Sequence, residues 1–344
     1  MLYDTIHIFV NKYLCDKFIT IGAFVFLLYL LYQCFRLLNF FVYYFGPGKN
    51  LKKSYGEWAM VTGATDGIGL GYAKRLAARG INVILVSRSQ EKLDNCAKEI
   101  TEKYNVSIRT VAIDMSQDTD ALKAALEPVF KEIPVGILIN NVGISYEYAM
   151  YLTELPEDRL KTIIHLNCEV TAMVTKMCVP GMIERKRGAI VNIASAAGIM
   201  ACGDPLYDLY SASKAFVDHF SLSLATELKE KNIIVECHCP YFVPSKLSKI
   251  RKASLMCPPA NVYAEASLNR VGRGPITVVP YWGHQIQHFL YHCLPFPLLQ
   301  KAVLTHHKDI RRRALKKRAM KSDSIVCNKH SIDNCGCLSM LHIA

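Results

Sequence analysis

The sequence predicts an α/β protein with a doubly wound parallel sheet, helices on both faces of the sheet, and an N-terminal transmembrane helix. Three observations predict this fold. Residues 18–35 form an uncharged apolar run of 18 residues. From Trp58 onward, apolar runs of four to seven residues alternate with amphipathic segments, which is typical of a parallel sheet covered by helices. A glycine-rich turn, TGATDGIG, joins the first apolar run to the first helix.

Composition narrows the class of protein. The chain has 344 residues, 51% of them hydrophobic, and 13 cysteines without regular spacing. This favours a reduced domain facing the cytosol over a disulfide scaffold. The net charge of +12 is uneven, because residues 308–321 hold eight Lys or Arg against one Asp. Beside apolar segments, such a tail favours an anionic membrane surface, and no nucleic-acid partner is expected.

Residues 1–50 are predicted to be a membrane anchor. The apolar run resumes at 37–45, which makes the segment long enough to cross a bilayer. A cleaved signal peptide is the alternative, and the absence of a small-x-small site after the run disfavours it. The charges before the run balance, whereas three lysines follow it (Lys49, Lys52 and Lys53). The positive-inside rule therefore places the rest of the chain in the cytosol.

Residues 51–274 are predicted to form the catalytic domain. The predicted strands are 59–62, 82–87, 107–113, 136–140, 189–194 and 233–239. The predicted helices are 67–79, 90–104, 119–131, 156–185 and 209–229. Residues 275–344 follow as a hydrophobic segment and a basic tail. Because prolines interrupt its apolar part, 275–304, that part is predicted either to lie on the membrane or to line an acyl tunnel.

The glycine-rich turn predicts a dinucleotide site of the Rossmann type. Gly63, Gly67 and Gly69 allow a tight turn and let the backbone approach a pyrophosphate at a helix N-terminus. A plain strand-to-helix turn is the alternative, and the position between the first strand and the first helix disfavours it.

Cofactor choice is predicted from the end of the second strand. Arg88 stands where an acidic residue would favour NAD, so it favours the 2′-phosphate of NADP, with Arg75 as a second candidate. A solvated surface arginine is the alternative for Arg88. Asp114, after the third strand, is expected either to hydrogen-bond the adenine or to cap the next helix.

Tyr210 and Lys214 are predicted to carry the chemistry. They lie four residues apart within the predicted helix 209–229, so they share one face. A cationic amine beside a phenol is expected to lower the phenol's pKa. Such a phenol can give a proton to a ketone and take it back. An exposed pair on an ordinary amphipathic helix is the alternative.

A family resemblance unites these motifs. TGATDGIG, Asn140-Asn141-Val142-Gly143, Asn167, Ser195 and Tyr210-Ser-Ala-Ser-Lys214 together resemble a short-chain dehydrogenase/reductase over about residues 55–250. NNVGISYEYA, PGMIERKRGAIVNIAS and PYFVPSKL, behind an anchor, resemble the membrane-bound 17β-hydroxysteroid dehydrogenase group. Within that group the chain looks most like the very-long-chain 3-oxoacyl-CoA reductases of the endoplasmic reticulum, which implies NADPH-dependent ketone reduction.

The resemblance implies a role for each matching residue. Tyr210 is the acid/base, and Lys214 lowers its pKa and holds the nicotinamide ribose. Ser195 hydrogen-bonds the substrate carbonyl, and Asn167 anchors a water relay to Lys214. Asn141 supports the adenosine side, and 241–245 borders the nicotinamide, with Ser245 in place of a threonine. The implied cofactor residues are Gly63, Thr65, Asp66, Gly67, Ile68, Gly69, Arg88, Asp114, Asn141, Gly143, Tyr210, Lys214, Val243 and Ser245.

Two departures from the family pattern concern the site and the tail. The gap from Ser195 to Tyr210 is two residues longer than usual, and the extra residues fall within 201–209, a loop that can absorb them. Tyr207 is a competing phenol, but its distance from Lys214 does not match the motif. The tail after about Asn328 resembles nothing recognisable.

The remaining histidine, cysteine and asparagine motifs are each expected to be structural or unused, and not to be functional sites. His284, His288 and His292 have the spacing of metal ligands on a helix. Because their surroundings are apolar, we favour the polar stripe of an interfacial helix and expect no metal. Cys237 and Cys239 share one face of a strand and are expected to be core cysteines. The Asn105 sequon is expected to stay unused in the cytosol.

The predicted function is NADPH-dependent reduction of a lipid ketone at the endoplasmic reticulum membrane. The substrate is expected to be a 3-oxoacyl-CoA in very-long-chain fatty-acid elongation. One alternative is a 17-ketosteroid reductase, since the same residues serve both ketones. The other is a non-catalytic membrane scaffold that retains the cofactor fold. A homodimer and association with other elongation enzymes remain open.

Overall fold

The computed structural model describes residues 2–250 and 252–337, which divide after Pro47 into two compact units. The first unit is a single helix, α1 (Leu2–Phe45). Its part Asp16–Phe45 has a mean hydropathy of 2.0 over 30 residues. Length and composition make this part a candidate membrane span, and its apolar side chains, such as Phe24 and Leu31, are exposed.

The second unit is built on a seven-stranded parallel sheet with the order β3-β2-β1-β4-β5-β6-β7. This confirms the predicted doubly wound fold. Its strands are β1 (Trp58–Thr62), β2 (Asn82–Ser87), β3 (Ile108–Ala112), β4 (Val135–Asn140), β5 (Gly188–Ile193), β6 (Ile233–His238) and β7 (Thr277–Val278).

The order of the strands determines where a ligand can bind. The chain runs outward from β1 to β3 and then returns to pair β4 with the other side of β1. The loops that leave β1 and β4 therefore diverge, which opens a crevice at the carboxyl ends of these strands.

Helices cover both faces of the sheet. They are α2 (Leu51–Tyr55), α3 (Gly67–Ala77), α4 (Gln90–Lys103), α5 (Thr119–Glu132), α6 (Glu157–Ile164), α7 (Val170–Glu184), α8 (Ala196–Ile199), α9 (Asp208–Leu228), α10 (Ala260–Leu268), α11 (Trp282–Cys293) and α12 (Phe296–Cys337). A break at Pro295 separates α11 from α12, because proline cannot continue the hydrogen bonding of α11.

Alternation along the strands creates two apolar layers. On β1, Ala59 and Val61 face the layer formed with α3 and α4, whereas Met60 faces the layer formed with α5 and α7. All three are fully buried. Burying a side chain of this size contributes about 1.5–3 kcal/mol, so continuous apolar strands hold both helix layers.

The structure adds detail to the predicted helix 156–185. It consists of α6, a π-helical turn (His165–Glu169) and α7. π-turns are rare insertions that occur frequently at functional sites. This turn carries Asn167, which is fully buried.

Candidate active site

Tyr210 and Ser195 meet at the carboxyl ends of the central strands. Ser195 is the second residue after β5, and its hydroxyl accepts a hydrogen bond from the Ala197 backbone N–H at 3.2 Å, which caps α8. Tyr210 lies in the first turn of α9, keeps part of its surface exposed, and is close enough to Ser195 for the serine hydroxyl to lower its pKa. The two hydroxyls are therefore adjacent and can reach one substrate atom.

The longer gap between these residues is absorbed by the loop before α9. Gly203 and Leu206 both have positive φ, 66° and 69°, which folds the loop back tightly. The Leu206 carbonyl accepts a hydrogen bond from the Met150 N–H at 3.0 Å. Tyr207 packs at this turn between Tyr146 and His307, with ring centroids 5.6 and 5.2 Å away.

Lys214 is buried, with 5% of its surface exposed, one turn after Tyr210. Its Nζ donates to the Ile193 carbonyl at 2.9 Å and lies 6.0 Å from the centroid of the Tyr210 ring. Burial lowers the pKa of Lys214 to about 8, because the interior disfavours the charged amine. The spacing of four residues thus places both groups at one site, as the sequence predicts.

The predicted lowering of the Tyr210 pKa is not found. Burial raises the pKa of Tyr210 to about 12; the nearby Ser195 hydroxyl opposes this effect, and the charge of Asp204 adds to it. Desolvation outweighs the help that a cation gives to a phenolate. Moreover, the Lys214 amine is partly neutral near pH 8. At neutral pH Tyr210 is therefore a protonated phenol, the form that donates a proton.

Asn167 braces the loop beside Lys214. Its Oδ1 accepts from the Ile144 N–H at 2.9 Å, and its Nδ2 donates to the Ile144 carbonyl at 3.0 Å and to Ser213 Oγ at 2.9 Å. A Cβ added to Gly143 would lie 3.1 Å from Asn167 Oδ1 and 3.3 Å from Lys214 Nζ. Asn167, Gly143 and Lys214 thus border one space, which a side chain at 143 would narrow.

The glycine-rich turn forms a backbone cradle at the N-terminus of α3. Gly63 and Gly67 have φ of +65° and +51°, a conformation that glycine adopts without strain. A Cβ on Gly69 would lie 2.2 Å from the Gly63 carbonyl oxygen. Asp66, at the N-cap, forms no side-chain cap bond to α3. The helix N–H groups that a pyrophosphate would bind are therefore not used by this side chain.

Side chains at neighbouring strand ends brace this cradle. Thr65 Oγ1 is 2.9 Å from Ser87 Oγ at the end of β2. Asn141 Nδ2 donates to the carbonyls of Thr62 and Gly63 at 3.0 and 3.3 Å. Ile68 packs on the adjacent apolar core. These contacts hold together the loops that follow β1, β2 and β4.

Thr62 is a site residue that the sequence does not single out. Its Oγ1 accepts from the N–H groups of Asn141 and Val142 at 2.9 and 3.0 Å. It thus ties β1 to β4 at the crevice. The one clue to this role in the sequence is that Thr62 is the last residue of the first strand.

The segment after β6 closes the other side of the cradle. Asp66 Oδ2 accepts from the Lys246 N–H at 3.3 Å. A Cβ on Gly67 would lie 2.9 Å from the Cβ of Ser245. Val243 is buried just before this contact. Val243 and Ser245 therefore lie at the crevice, together with the glycine-rich turn.

Arg88 and Asp114 lie at the ends of β2 and β3. Arg88 is exposed. Hydrogen bonds from the Ser116 N–H and hydroxyl, with a contribution from Arg88, lower the pKa of Asp114. The alternative that Asp114 caps the next helix is wrong, because Asp118 caps α5 at 2.8 Å. Arg75 pairs with Glu265 of α10 at 3.8 Å, so it is not a free ligand for the same phosphate.

Two of the three histidines of α11, His284 and His288, do not form the exposed polar stripe that the sequence suggests, whereas His292 is exposed. His284 is fully buried; its Nδ1 accepts from the Tyr241 N–H at 3.3 Å, and its Nε2 donates to the Phe242 carbonyl at 3.2 Å. His288 Nδ1 lies 3.1 Å from the Tyr241 hydroxyl. Burial lowers the pKa of both histidines to about 4. These neutral rings hold the segment at Tyr241 and Phe242, which enters the crevice. Such contacts between distant residues leave no pattern in the local sequence.

Cys237 and Cys239 are fully buried core residues, as predicted, with their sulfur atoms 3.8 Å apart. Together with Asp218, they form a group of three potential metal ligands within the described residues, whose ligand atoms all lie within 4.8 Å of one another. Asp218 also accepts a hydrogen bond from Thr277. This contact ties α9 to β7.

The combined geometry suits ketone–alcohol chemistry with a nicotinamide dinucleotide. The backbone cradle and Arg88 offer phosphate ligands along one half of the crevice. Lys214, which borders the space at Asn167 and Gly143, lies 6.0 Å from the centroid of the Tyr210 ring. A proton donor and a second hydroxyl thus meet where a carbonyl could lie next to the cofactor.

Comparisons with known proteins agree with this geometry. A family profile described as short chain dehydrogenase matches residues 57–254. A very-long-chain 3-oxoacyl-CoA reductase of Rattus norvegicus is 43% identical over 266 residues, which is 76% of this chain and 83% of the relative. The protein of the same name from Laccaria bicolor is 41% identical over 286 residues, 79% of this chain and 83% of the relative.

Solved structures give the same result. The short-chain dehydrogenase from Sphingobium yanoikuyae in complex with NADPH is 27% identical, with a TM-score of 0.55, and the match covers 61% of this chain and 82% of that one. A 7β-hydroxysteroid dehydrogenase structure has a TM-score of 0.65 over 74% of this chain and 99% of that one; at 22% identity it supports the fold alone. The chain belongs to the short-chain dehydrogenase/reductase family of oxidoreductases.

Proposed function

We propose that this protein is an NADPH-dependent reductase that converts a 3-oxoacyl-CoA into a 3-hydroxyacyl-CoA in very-long-chain fatty-acid elongation. The observation that carries the proposal is the placement of Tyr210 next to Ser195 and beside the buried Lys214. Relatives named very-long-chain 3-oxoacyl-CoA reductase, 41–43% identical over three quarters of the chain or more, support this substrate class. We also propose that the protein associates with other enzymes of fatty-acid elongation.

Each site residue has a defined task in this reaction. The bound nicotinamide supplies the hydride that reduces the keto carbon. Tyr210 donates its phenolic proton to the ketone oxygen, and Ser195 donates a hydrogen bond to the same oxygen. The Lys214 ammonium stabilises the tyrosinate that remains. Asn167 keeps the loop at Ile144 in place, so that the space beside Lys214 stays open.

Arg88 is proposed to select NADPH over NADH. Because a charge-assisted contact is worth about 1.5–3 kcal/mol, Arg88→Asp is expected to raise the KM for NADPH about tenfold to hundredfold and to leave the KM for NADH unchanged or lower. Arg187→Asp is the control, since Arg187 is exposed just before β5, at the opposite end of the sheet. Equal KM changes for both cofactors would contradict the assignment.

The apolar surface near the site supports a lipid substrate and a membrane location. Along α11 and the start of α12, large apolar side chains are exposed (Phe289, Leu290, Leu294, Phe296 and Leu298). His284 and His288 connect α11 to Tyr241 at the crevice. We therefore propose that residues 275–304 lie on the endoplasmic reticulum membrane, where an acyl chain can enter the site. The candidate span in α1 provides the anchor.

The proposed function is tested by NADPH oxidation in sealed microsomes that express the full chain. A long-chain 3-oxoacyl-CoA and a 17-ketosteroid are supplied in parallel. We expect preferential turnover of the acyl-CoA. Turnover of the steroid alone would favour the steroid reductase, and cofactor binding without turnover of any ketone would favour the scaffold.

The same microsomes test the orientation of the catalytic unit. NADPH and acyl-CoA do not cross an intact membrane because they are highly charged. With the site in the cytosol, activity is expected to be nearly the same before and after the vesicles are permeabilised with detergent. Activity that appears only after permeabilisation would place the site in the lumen and contradict the proposed topology.

A further inference from the structure

Helix α12 packs against the loops that border the catalytic residues. His307 is buried, and its Nδ1–H donates to the Pro205 carbonyl at 2.7 Å, in the loop that precedes Tyr210. One turn further, Arg311 donates to the Ala149 carbonyl at 3.2 Å and pairs with Glu154 at 2.6 Å. The basic helix is thus part of the wall around the active site.

A layer of aromatic side chains separates α12 from Tyr210. The guanidinium carbons of Arg311 and Arg318 lie 6.0 and 4.9 Å from the centroid of the Tyr148 ring. Tyr148 and Tyr210 pack against the same apolar cluster, which includes Tyr146. The positive charge of α12 therefore begins one side-chain layer away from the catalytic phenol.

The cations on the next flank of α12 are exposed, and most of their charge is not compensated by an ion pair. Within the described part of the chain, Lys308 and Lys316 form no ion pair, and Arg312 pairs only with Asp309. An ordinary solvated face mixes both signs of charge, whereas these three cations have Asp309 as their one acidic partner among the described residues, so the flank keeps a net positive charge.

The spacing of these residues suits a ligand with several phosphates. Lys308, Arg312 and Lys316 are four residues apart, so they form a row with steps of about 6 Å along one flank. Arginine and lysine are the side chains that bind phosphate groups most strongly. A row of three cations can therefore bind phosphates that are linked within one molecule.

We propose that Lys308, Arg312 and Lys316 bind the 3′-phosphate and 5′-diphosphate of the acyl-CoA substrate. This assignment rests on the proposed function. In a 3-oxoacyl-CoA the ketone lies two carbons from the thioester, and a flexible pantetheine arm joins the thioester to the phosphates. In the protein, the proton donor Tyr210 lies on the inner side of the aromatic layer, and the cation row lies on its outer side. A ketosteroid carries no phosphate and would leave the row unused.

The test compares two substrates with the same acyl chain. One is the 3-oxoacyl-CoA, and the other is its N-acetylcysteamine thioester, which carries no phosphate. In the triple variant Lys308→Glu/Arg312→Glu/Lys316→Glu, the preference in kcat/KM for the CoA thioester is expected to fall about tenfold to hundredfold. The KM for NADPH should stay unchanged, because that cofactor binds across the crevice.

A matched control separates a local effect from a change in total charge. The variant Arg187→Glu/Lys229→Glu/Lys231→Glu reverses one arginine and two lysines that are exposed just before β5 and β6, at the far end of the sheet. It is expected to keep the preference for the CoA thioester. An equal loss in both triple variants, or an unchanged preference in the α12 variant, would overturn the proposal.

Direct binding distinguishes this proposal from the proposed function. Free CoA, dephospho-CoA and phosphatidylserine vesicles are offered to the full chain in phosphatidylcholine nanodiscs. Binding of CoA that is stronger than that of dephospho-CoA, and is lost in the α12 variant, would support the cation row even if no 3-oxoacyl thioester were reduced. Absence of CoA binding, or vesicle binding alone lost in the variant, would overturn it; the second result would identify a membrane contact.

Discussion

Replacing Tyr210 by Phe is expected to lower kcat for ketone reduction by about 10²- to 10⁴-fold, the range that general acid catalysis contributes. The ring still packs against the cluster around Tyr146, so only the hydroxyl is lost. With its pKa raised to about 12, Tyr210 is a protonated donor at every working pH. NADPH binding, followed by fluorescence, should change little, and steady-state oxidation of NADPH measures the loss.

Tyr207→Phe is the matched control, because Tyr207 is a second partly buried phenol three residues away. Burial also raises its pKa to about 12, but its ring packs between Tyr146 and His307. This variant is expected to keep kcat within a few fold of the wild type. If Tyr207→Phe were inactive and Tyr210→Phe active, Tyr207 would be the proton donor, and the longer loop before α9 would have shifted the site.

Features of the fold that depend on local pattern could be predicted from the sequence. Continuous apolar strands such as β2 and β4 are buried on both faces, and that pattern is visible along the chain. β7 was missed because it has only two residues, too few for any periodicity. The π-turn at Asn167 was missed because it interrupts a helix without a proline or glycine in the turn itself.

In the site, too, contacts between residues close in sequence could be predicted, whereas contacts between distant residues could not. Tyr210 and Lys214 lie one helical turn apart, and the glycines of the cradle fall within residues 63–69. Their closeness in space therefore follows directly from their closeness in sequence. Thr62 contacts Asn141 across 79 residues, and His307 contacts Pro205 across 102. No residue pattern encodes such pairs. The direction of the Tyr210 pKa shift was predicted wrongly for the same reason. Burial raises this pKa, and burial is a property of the assembled fold.

Replacing Lys214 by Met is expected to lower kcat by about 10²- to 10³-fold, comparable to the loss of one preorganised donor in an active site. The variant removes the ammonium that stabilises the tyrosinate and leaves the Ile193 carbonyl without its donor. Removing a buried amine also relieves a desolvation cost, which offsets the lost hydrogen bond. We therefore expect the melting temperature to change little, and a large fall in kcat with an unchanged Tm identifies a functional lysine.

The pH profile gives this prediction a second readout. Burial lowers the pKa of Lys214 to about 8, so the amine is cationic below that pH and loses its charge as the pH rises through it. Ketone reduction should fall above about pH 8, whereas Tyr210, with a pKa of about 12, stays protonated throughout. The descending limb should be absent in Lys214→Met. If the limb persisted there, another group would control the reaction, and the buried amine would serve only to hold Ile193 at the end of β5.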